Sequence, residues 1–571
     1  MSIILDQIKG LSDSKFSGVK GSVYRLVGLD IHSTPGLTKV HQKLTRLSIT
    51  SSSSASVSPS ASRSPSSSTS ISPSSSRSPS ASASTSPSAS RSPSSSTSRS
   101  PSASRSPSAS RSPSSSSSVS RSPSASRSPS ASVSGSPSAS VSPSISASAE
   151  DAEVDGFIKE RVAASNGFSF WFSADSGKIW AESSGVITLA YTTVPEAGEA
   201  KCLGAMEYNG YIYWATESRL HRIAIADADA QWVNVALNWQ TFGVTDDKFH
   251  PMAVQEFRLF IGDGNQLAEV DKDDNFNNNA LKLFHFSQHR IKTLIDYEFD
   301  ILLGTYVADT VNEALIIRWD TVSPVWNVSD HVDEVGINSF IRDDNILFVN
   351  AGKKGNIYFY NGEKLEKFNP IPGDYSNTAT GLVHPGSVAN FNGVPIFGFS
   401  NVTGNPALQG VYSLGSYSRN YSKVLSLGWV ISENITSNIE VGAMLVIDGL
   451  IYVAWKSGTK YGIDRLDMSN KYTGAYFETR MLFQNKRQLL TNLKQVSVLY
   501  DSLPASTNFV LSYSVNGASF VSMASETATD TILQSVRSKL TVQNVGSLRI
   551  KVAFTVSGNS GPTMESLSVE T

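Results

Sequence analysis

The sequence predicts an all-β fold, a six- or seven-bladed β-propeller followed by a β-sandwich, and three observations predict it. After Glu150, aromatic and β-branched residues come in short alternating runs; tight polar turns separate the runs; and the turn-plus-strand unit recurs at intervals in the forties. Period-two alternation with little helical periodicity argues against helical and α/β classes. A strand-rich repeat of that length is what four-stranded blades require. An N-terminal arm and a disordered Ser/Pro/Arg-rich insert complete the plan. The expected boundaries are 1–50 for the arm, 51–149 for the insert, 150–473 for the propeller and 474–571 for the sandwich.

The arm, taken first, begins with no positively charged leader and only a short apolar run around Ile3–Leu5, so it does not read as a secretory signal. Nowhere does an apolar run of about 18 residues occur, so no membrane span is expected. The insert follows. Serine fills nearly every second position, with thirteen prolines and eight arginines but no acid between Ser51 and Ser148. Such a segment has too little apolar surface to offset the entropy of ordering. Its prolines favour extended excursions, and a semi-stiff spacer is expected. The arginines also alter the charge balance. The whole chain carries −2, but without the insert 39 basic residues face 49 acidic ones, a balance of −10. A mildly acidic folded part argues against a dedicated nucleic-acid-binding surface. Arg-Ser-Pro-Ser repeats resemble the arginine–serine tracts of splicing factors, yet no RNA-recognition module accompanies them.

The propeller repeat is read from its second strands. They are expected at Phe168–Phe172, Tyr211–Ala215, Leu259–Gly262, Ile301–Gly304, Ile346–Val349, Val394–Gly398 and Leu450–Ala454, with starts 43, 48, 42, 45, 48 and 56 residues apart. Asn209-Gly210, Asn392-Gly393 and Asp448-Gly449 precede three of them, the pairs that suit two-residue hairpins with positive φ at both central positions. Gly262, Gly304 and Gly398 close three of these strands and would let neighbouring blades approach near the axis. Beyond Gly474, six or more short strands in about a hundred residues fit a sandwich. Alternation of Phe509, Leu511 and Tyr513, and of Leu548, Ile550 and Val552, marks its buried face.

Candidate chemistry is sparse. One cysteine, Cys202, excludes an intrachain disulfide and a cysteine-based zinc cluster. His285 and His289 are four apart without a glutamate of the HExxH kind between them. Asp271, Asp273, Asp274, Asn275, Asn277, Asn278 and Asn279 offer oxygen ligands but lack the glycine and distal glutamate of an EF-hand. No Gly-x-Ser-x-Gly, phosphate-binding loop or dinucleotide fingerprint occurs. Neither an enzyme, a resident metal nor a cofactor is expected. Ser173-Ala-Asp175-Ser-Gly177-Lys-Ile-Trp180 resembles the Asp-box of sialidases and related propellers. Its content is a turn in which Asp175 bonds backbone amides, Gly177 takes a permissive conformation and Trp180 packs inward. The single clear copy and the missing Arg-Ile-Pro element (Ala224 follows Arg222-Ile223) weigh against sialidase activity.

Three groups of residues carry a wider resemblance. They are the arm turn Ser33-Thr-Pro35-Gly36-Leu-Thr-Lys39, the opening Ser169-Phe-Trp-Phe-Ser-Ala-Asp-Ser-Gly-Lys-Ile-Trp180, and the terminal Gly474-Ala-Tyr-Phe-Glu-Thr-Arg480, Ser512–Gly517 and Leu548–Val552. Together they resemble bacteriophage tail hub or nozzle proteins, which form rings beneath the portal of short-tailed phages. The resemblance implies a non-enzymatic virion protein, assembled in the host cytoplasm and homo-oligomeric. Its expected partners are portal, adaptor or tail components, with genome DNA passing without specific binding. The insert departs from that pattern, and with it the arm could reach a neighbour. A glycan-binding propeller of a tail fibre or adhesin is the alternative, followed by a sialidase-like glycosidase.

Overall fold

The computed structural model describes residues 2–5, 23–27, 29–30, 39–47, 154–193, 201–246, 248–343, 346–362, 365–369, 380–402, 406–416, 423–433, 438–479, 482–483, 491–523, 534–545 and 547–570. The Ser/Pro/Arg-rich insert, Ser33, Pro35 and Gly36 lie outside them. Within this set the protein is all-β, a propeller followed by a sandwich.

Seven four-stranded antiparallel units follow one another among the described residues. Blade 1 is Ile158–Ala163, Ser169–Ser173, Lys178–Ser183 and Val186–Thr192. Blade 2 is Gly204–Tyr208, Tyr211–Ala215, Arg219–Ala224 and Ala236–Thr241. Blade 3 is Met252–Gln255, Arg258–Asp263, Gln266–Val270 and Phe276–Lys282. Blade 4 is Arg290–Tyr297, Asp300–Tyr306, Ala314–Trp319 and Val328–Val332. Blade 5 is Ile337–Asp343, Ile346–Ala351, Asn356–Tyr360 and Leu365–Asn369. Blade 6 is Val388–Phe391, Val394–Phe399, Gly410–Ser416 and Lys423–Trp429. The inner strand of each blade packs on the inner strand of the next, and Ile439–Ile447 of blade 7 packs on Ile158–Ala163 of blade 1. The ring closes.

Turn chemistry sets the blade geometry. At Asn209-Gly210, Asn392-Gly393 and Asp448-Gly449 both central residues have positive φ, the twist that matches flanking strands. At the interfaces, Gly262, Gly304 and Gly398 admit the next blade. A Cβ on Gly398 would stand 2.3 Å from Val441 Cγ1 of blade 7, and one on Gly304 would stand 2.6 Å from Ile337 Cγ2 of blade 5. Second strands are buried on both faces, as in Ser169–Ser173 with Phe170, Trp171 and Phe172 fully inaccessible.

Blade 7 is not finished by the sequence that starts it. Ile439–Ile447, Leu450–Ser457 and Lys460–Lys471 supply three strands. The fourth is Gln42–Arg46 from the arm, antiparallel with Leu44 opposite Leu466 and Thr45 opposite Arg465. Leu44 is buried with Trp455 and Leu466. The Arg46 guanidinium lies 4.9 Å from the Trp455 ring centroid, and its Nη2 donates to Tyr461 O at 2.9 Å.

A second arm strand, Val23–Val27, sits between domains. It pairs parallel with Lys423–Trp429 of blade 6 at Val27–Leu427 and antiparallel with Tyr476–Thr479 of the sandwich. Blade 6, this strand and one sandwich sheet thereby form one ten-stranded sheet. The opposite sandwich sheet contains Met564–Glu570, Thr491–Tyr500 and Gln534–Val545, edged by the arm's Ser2–Leu5. Between the sheets lie Phe477, Val496, Val498, Phe509, Leu511, Ile550, Val552, Leu567 and Val569. The arm, which the long insert could have let reach a neighbour, pairs here within its own chain. The physical reason is edge pairing: the open edges at blade 7 and at the sandwich gain ladder partners, and the edge of blade 6 is met at Val27–Leu427.

Candidate functional site: a lysine-lined axial cavity

The starts of the inner strands converge on one end of the propeller axis, and backbone bulges aim their side chains. In blade 1 the register shifts between Ile158 and Glu160, leaving Lys159 as the extra residue. The same shift falls between Ile291 and Thr293 in blade 4, at Lys292, and between Ile337 and Ser339 in blade 5, at Asn338. A bulge bends a strand and redirects one side chain. Three bulges at matching positions place Lys159, Lys292 and Asn338 around one cavity of about 400 Å³. Lys201, Lys248 and Lys353 join its wall, with Leu203, Phe249, Tyr306, Leu382, Val383, His384 and the single carboxylate of Asp309.

Hydrogen bonds fix the floor. Lys292 Nζ donates to Asn338 Oδ1 at 2.6 Å, and Asn338 Nδ2 donates to Gly352 O at 2.6 Å, which sets the amide orientation. The Lys292 ammonium lies 5.3 Å from the Phe249 ring centroid, and Phe249 meets Tyr306 edge-on at 5.5 Å. On the rim, Lys248 faces Asp309 Oδ2 at 3.8 Å, Lys353 Nζ donates to Asp309 O at 2.6 Å, and Lys201 faces Glu217 Oε1 at 3.5 Å. Among the described residues no carboxylate forms an ion pair with Lys159 or Lys292. Burial pushes the Lys292 ammonium down to about 8, with Lys248, Lys159 and Lys353 adding repulsion against the pull of Asp309. Burial lowers Lys159 as well. His384 is buried; its ring is pushed to about 4, chiefly by burial, so it is neutral at pH 7. Its Nε2 stands 3.7 Å from Glu440 Oε2, beyond hydrogen-bond reach, and has no hydrogen-bond partner.

Deeper along the axis, Arg161 ties three blades. It donates through Nε to Met444 O of blade 7 and through Nη2 to Val388 O of blade 6, the latter at 3.2 Å. Its neighbour Glu160 lies beside it in the first strand of blade 1. The protein encloses it although some of its surface is accessible, and burial pushes its carboxyl up to about 7 against the pull of Arg161 and Lys159.

Ser173 ends the second strand of blade 1, Asp175 and Gly177 form the turn after it, and Trp180 lies in the third strand. Ser173 Oγ accepts from Ser176 N at 3.0 Å, and Gly177 has φ +65°. Trp180 is buried with Trp171 and Tyr452. Asp175 Oδ1 accepts from Phe157 N at 2.8 Å, while Ala174 N donates to Phe157 O at 2.8 Å. The turn therefore anchors the backbone two residues ahead of Lys159 and buttresses the cavity wall. Lys39 lies far from it, in the short strand Lys39–Val40 paired with Leu29–Asp30.

The other singled-out residues have local roles. His289 Nδ1 contacts Thr305 Oγ1 at 3.0 Å, whereas His285 lies in the 3-10 turn Phe284–Phe286. Asp271 accepts from the amides of Asp273 and Asn275, and Asp274 pairs with Arg222 at 3.0 Å. Among the described residues no three His, Cys, Asp or Glu side chains gather as a metal site.

The lysines were not singled out from the sequence, although a signal exists. Lys159, Lys201 and Lys248 each stand ten residues ahead of the first residue of a second strand, Ser169, Tyr211 and Arg258. Single lysines attract no notice in isolation; their common phase within the repeat is the clue.

No family model matches the chain, and no curated protein matches it either. Solved structures similar to it include the extracellular domain of a proposed hybrid two component system from B. thetaiotaomicron. That match has 14% identity, covers 64% of this chain and 42% of that one, and has a TM-score of 0.38. The chain thus spans less than half of that protein's length. The WD40 repeats of RRP9 match at 10% identity over 55% of this chain and 94% of that one, TM-score 0.40. A streptogramin B lyase matches at 11% identity over 55% and 94%, TM-score 0.37. The propeller assignment stands on the strand pairing itself.

Proposed function

We propose that this protein is a non-enzymatic structural component of a virion, of the tail hub or nozzle kind, working as a rigid block in a ring of identical copies. The observation that supports this reading most is the ten-stranded sheet joining blade 6, the arm and the sandwich. Domains tied only by a linker move relative to one another. Here a shared ladder and the arm strands in blade 7 and both sandwich sheets resist that motion, as a load-bearing ring subunit needs. Phe257 and Phe299, 81% and 78% exposed at the first hairpin turns of blades 3 and 4, offer apolar contact to a neighbouring copy. A heterologous contact of this sort closes into a ring when the rotation between copies permits. Light scattering coupled to size exclusion, on the full chain alone and mixed with candidate portal or tail proteins of its virion, tests the reading. A discrete closed oligomer is expected in one of the two conditions. A strict monomer in both overturns the proposal.

A further inference from the structure

We infer that the axial cavity is a binding site for a phosphate-bearing small molecule, with Lys159, Lys292 and Lys353 as its cationic contacts and Asn338 and His384 as its polar ones. This goes beyond a structural role. The argument begins with charge. Five lysines line a cavity of about 400 Å³ that offers one carboxylate, Asp309, and that group faces Lys248. Lys201 has its own partner in Glu217. Among the described residues no carboxylate forms an ion pair with Lys159, Lys292 or Lys353, although Glu440, Asp175 and Glu160 attract Lys159, and Asp309 attracts Lys292, from farther away. Folding drives like charges together only at a cost, which is offset when a bound anion occupies the space between them.

The polar inventory points the same way. Nε2 of His384 is buried at the cavity wall, 3.7 Å from Glu440 Oε2 and without a hydrogen bond, and a buried polar atom in that state leaves a place for a ligand oxygen or water. With the ring neutral, this nitrogen can donate to an oxygen anion as the Nε2–H tautomer. Asn338 is held by Gly352 O and Lys292, so the ammonium it orients is preset. Ammonium groups arriving from blades 1, 4 and 5 act as point charges around a compact centre, which suits the several oxygens of a phosphoryl group. Planar carboxylate recognition would be expected to use arginine forks, and no arginine lines the cavity. Leu203, Phe249, Tyr306, Leu382 and Val383 give the cavity an apolar side for the organic part of the ligand. The bulges at Lys159, Lys292 and Asn338 are the backbone's contribution, since three inner strands break register at the place where the side chains must turn to the axis.

The test uses the full chain, with inorganic pyrophosphate as the probe in calorimetric titration and thermal unfolding, and with citrate and sulfate as comparison anions at equal ionic strength. Pyrophosphate is expected to bind saturably and raise the unfolding temperature more than either comparison anion. Lys292→Met and Lys159→Met are each expected to weaken its binding roughly tenfold or more, the scale of one lost charged hydrogen bond. Their unliganded unfolding temperature should be equal or higher, because a buried charge is removed. Lys353→Met, on the exposed rim, is expected to leave the unliganded unfolding temperature unchanged and to weaken binding several-fold. Lys282→Met, on an outer strand of blade 3, should leave it unchanged. Equal effects of citrate or sulfate, or wild-type pyrophosphate binding by Lys292→Met and Lys353→Met, would overturn the inference.

Discussion

Blades 1 to 5 and blade 7 reach the same four-stranded sheet by different routes. Each of the first five is a run of consecutive hairpins, so every strand finds its partner within a few tens of residues. Blade 7 waits for Gln42–Arg46, and the contact between Thr45 and Asp467 spans 422 positions. The lesson concerns entropy. Loop-closure cost grows only with the logarithm of length, so replacing a hairpin by a closure of this span adds about 4 kcal/mol. A buried leucine and a full strand ladder repay a sum of that order. Lengthening such a loop by a further hundred flexible residues adds only a few tenths of a kcal/mol. A long Ser/Pro insertion between arm and first blade is therefore tolerated thermodynamically.

Deleting residues 1–47 breaks the contrast most severely. It strips blade 7 of its fourth strand, uncovers Trp455 and Leu466, and removes the strand between blade 6 and the sandwich. Loss of a single cooperative thermal transition is expected by circular dichroism, with partial recovery when a peptide spanning 23–47 is added. An unchanged transition would mean that the arm decorates the fold. Next in size is Gly398→Val, between blades 6 and 7. Its side chain would overlap Val441, and overpacking costs about 1–3 kcal/mol. Urea denaturation should show a lower midpoint, with the slope kept if the ring still unfolds as one unit.

The smallest effect concerns the enclosed carboxyl beside Arg161. Glu160 has its carboxyl raised from 4.5 to about 7 by burial. A folded value above the unfolded one means the native chain holds the extra proton, so stability falls as pH rises between those two values. Lys159 and Arg161 flank the group and limit the fall. Glu160→Gln should flatten that part of the stability-versus-pH curve and raise the unfolding temperature above pH 7. A curve as steep as wild type would place the titration elsewhere.

Much of this molecule was legible one residue at a time. Asn209-Gly210, Asn392-Gly393 and Asp448-Gly449 announce their hairpins because few other pairs accept positive φ twice. The spacing of the second strands gives the blade count to within one. Phe509, Leu511, Leu548, Ile550 and Val552 show the buried face of the sandwich by alternation alone, since strand side chains take opposite faces in turn. Asp175 advertised a turn, though not that its partner would be Phe157 N, eighteen residues back.

What the sequence determined by itself is everything set by neighbours along the chain: strand period, turn type, repeat length, and the glycines where blades crowd. What only tertiary structure decided is the identity of blade 7's fourth strand, the shared sheet through Val23–Val27, and the meeting of Lys159, Lys292 and Asn338. Those depend on which open edge captures a distant strand and on where bulges fall around a closed ring. Neither leaves a local signature, because backbone hydrogen bonds are alike at every residue and an axis exists only once all the blades surround it.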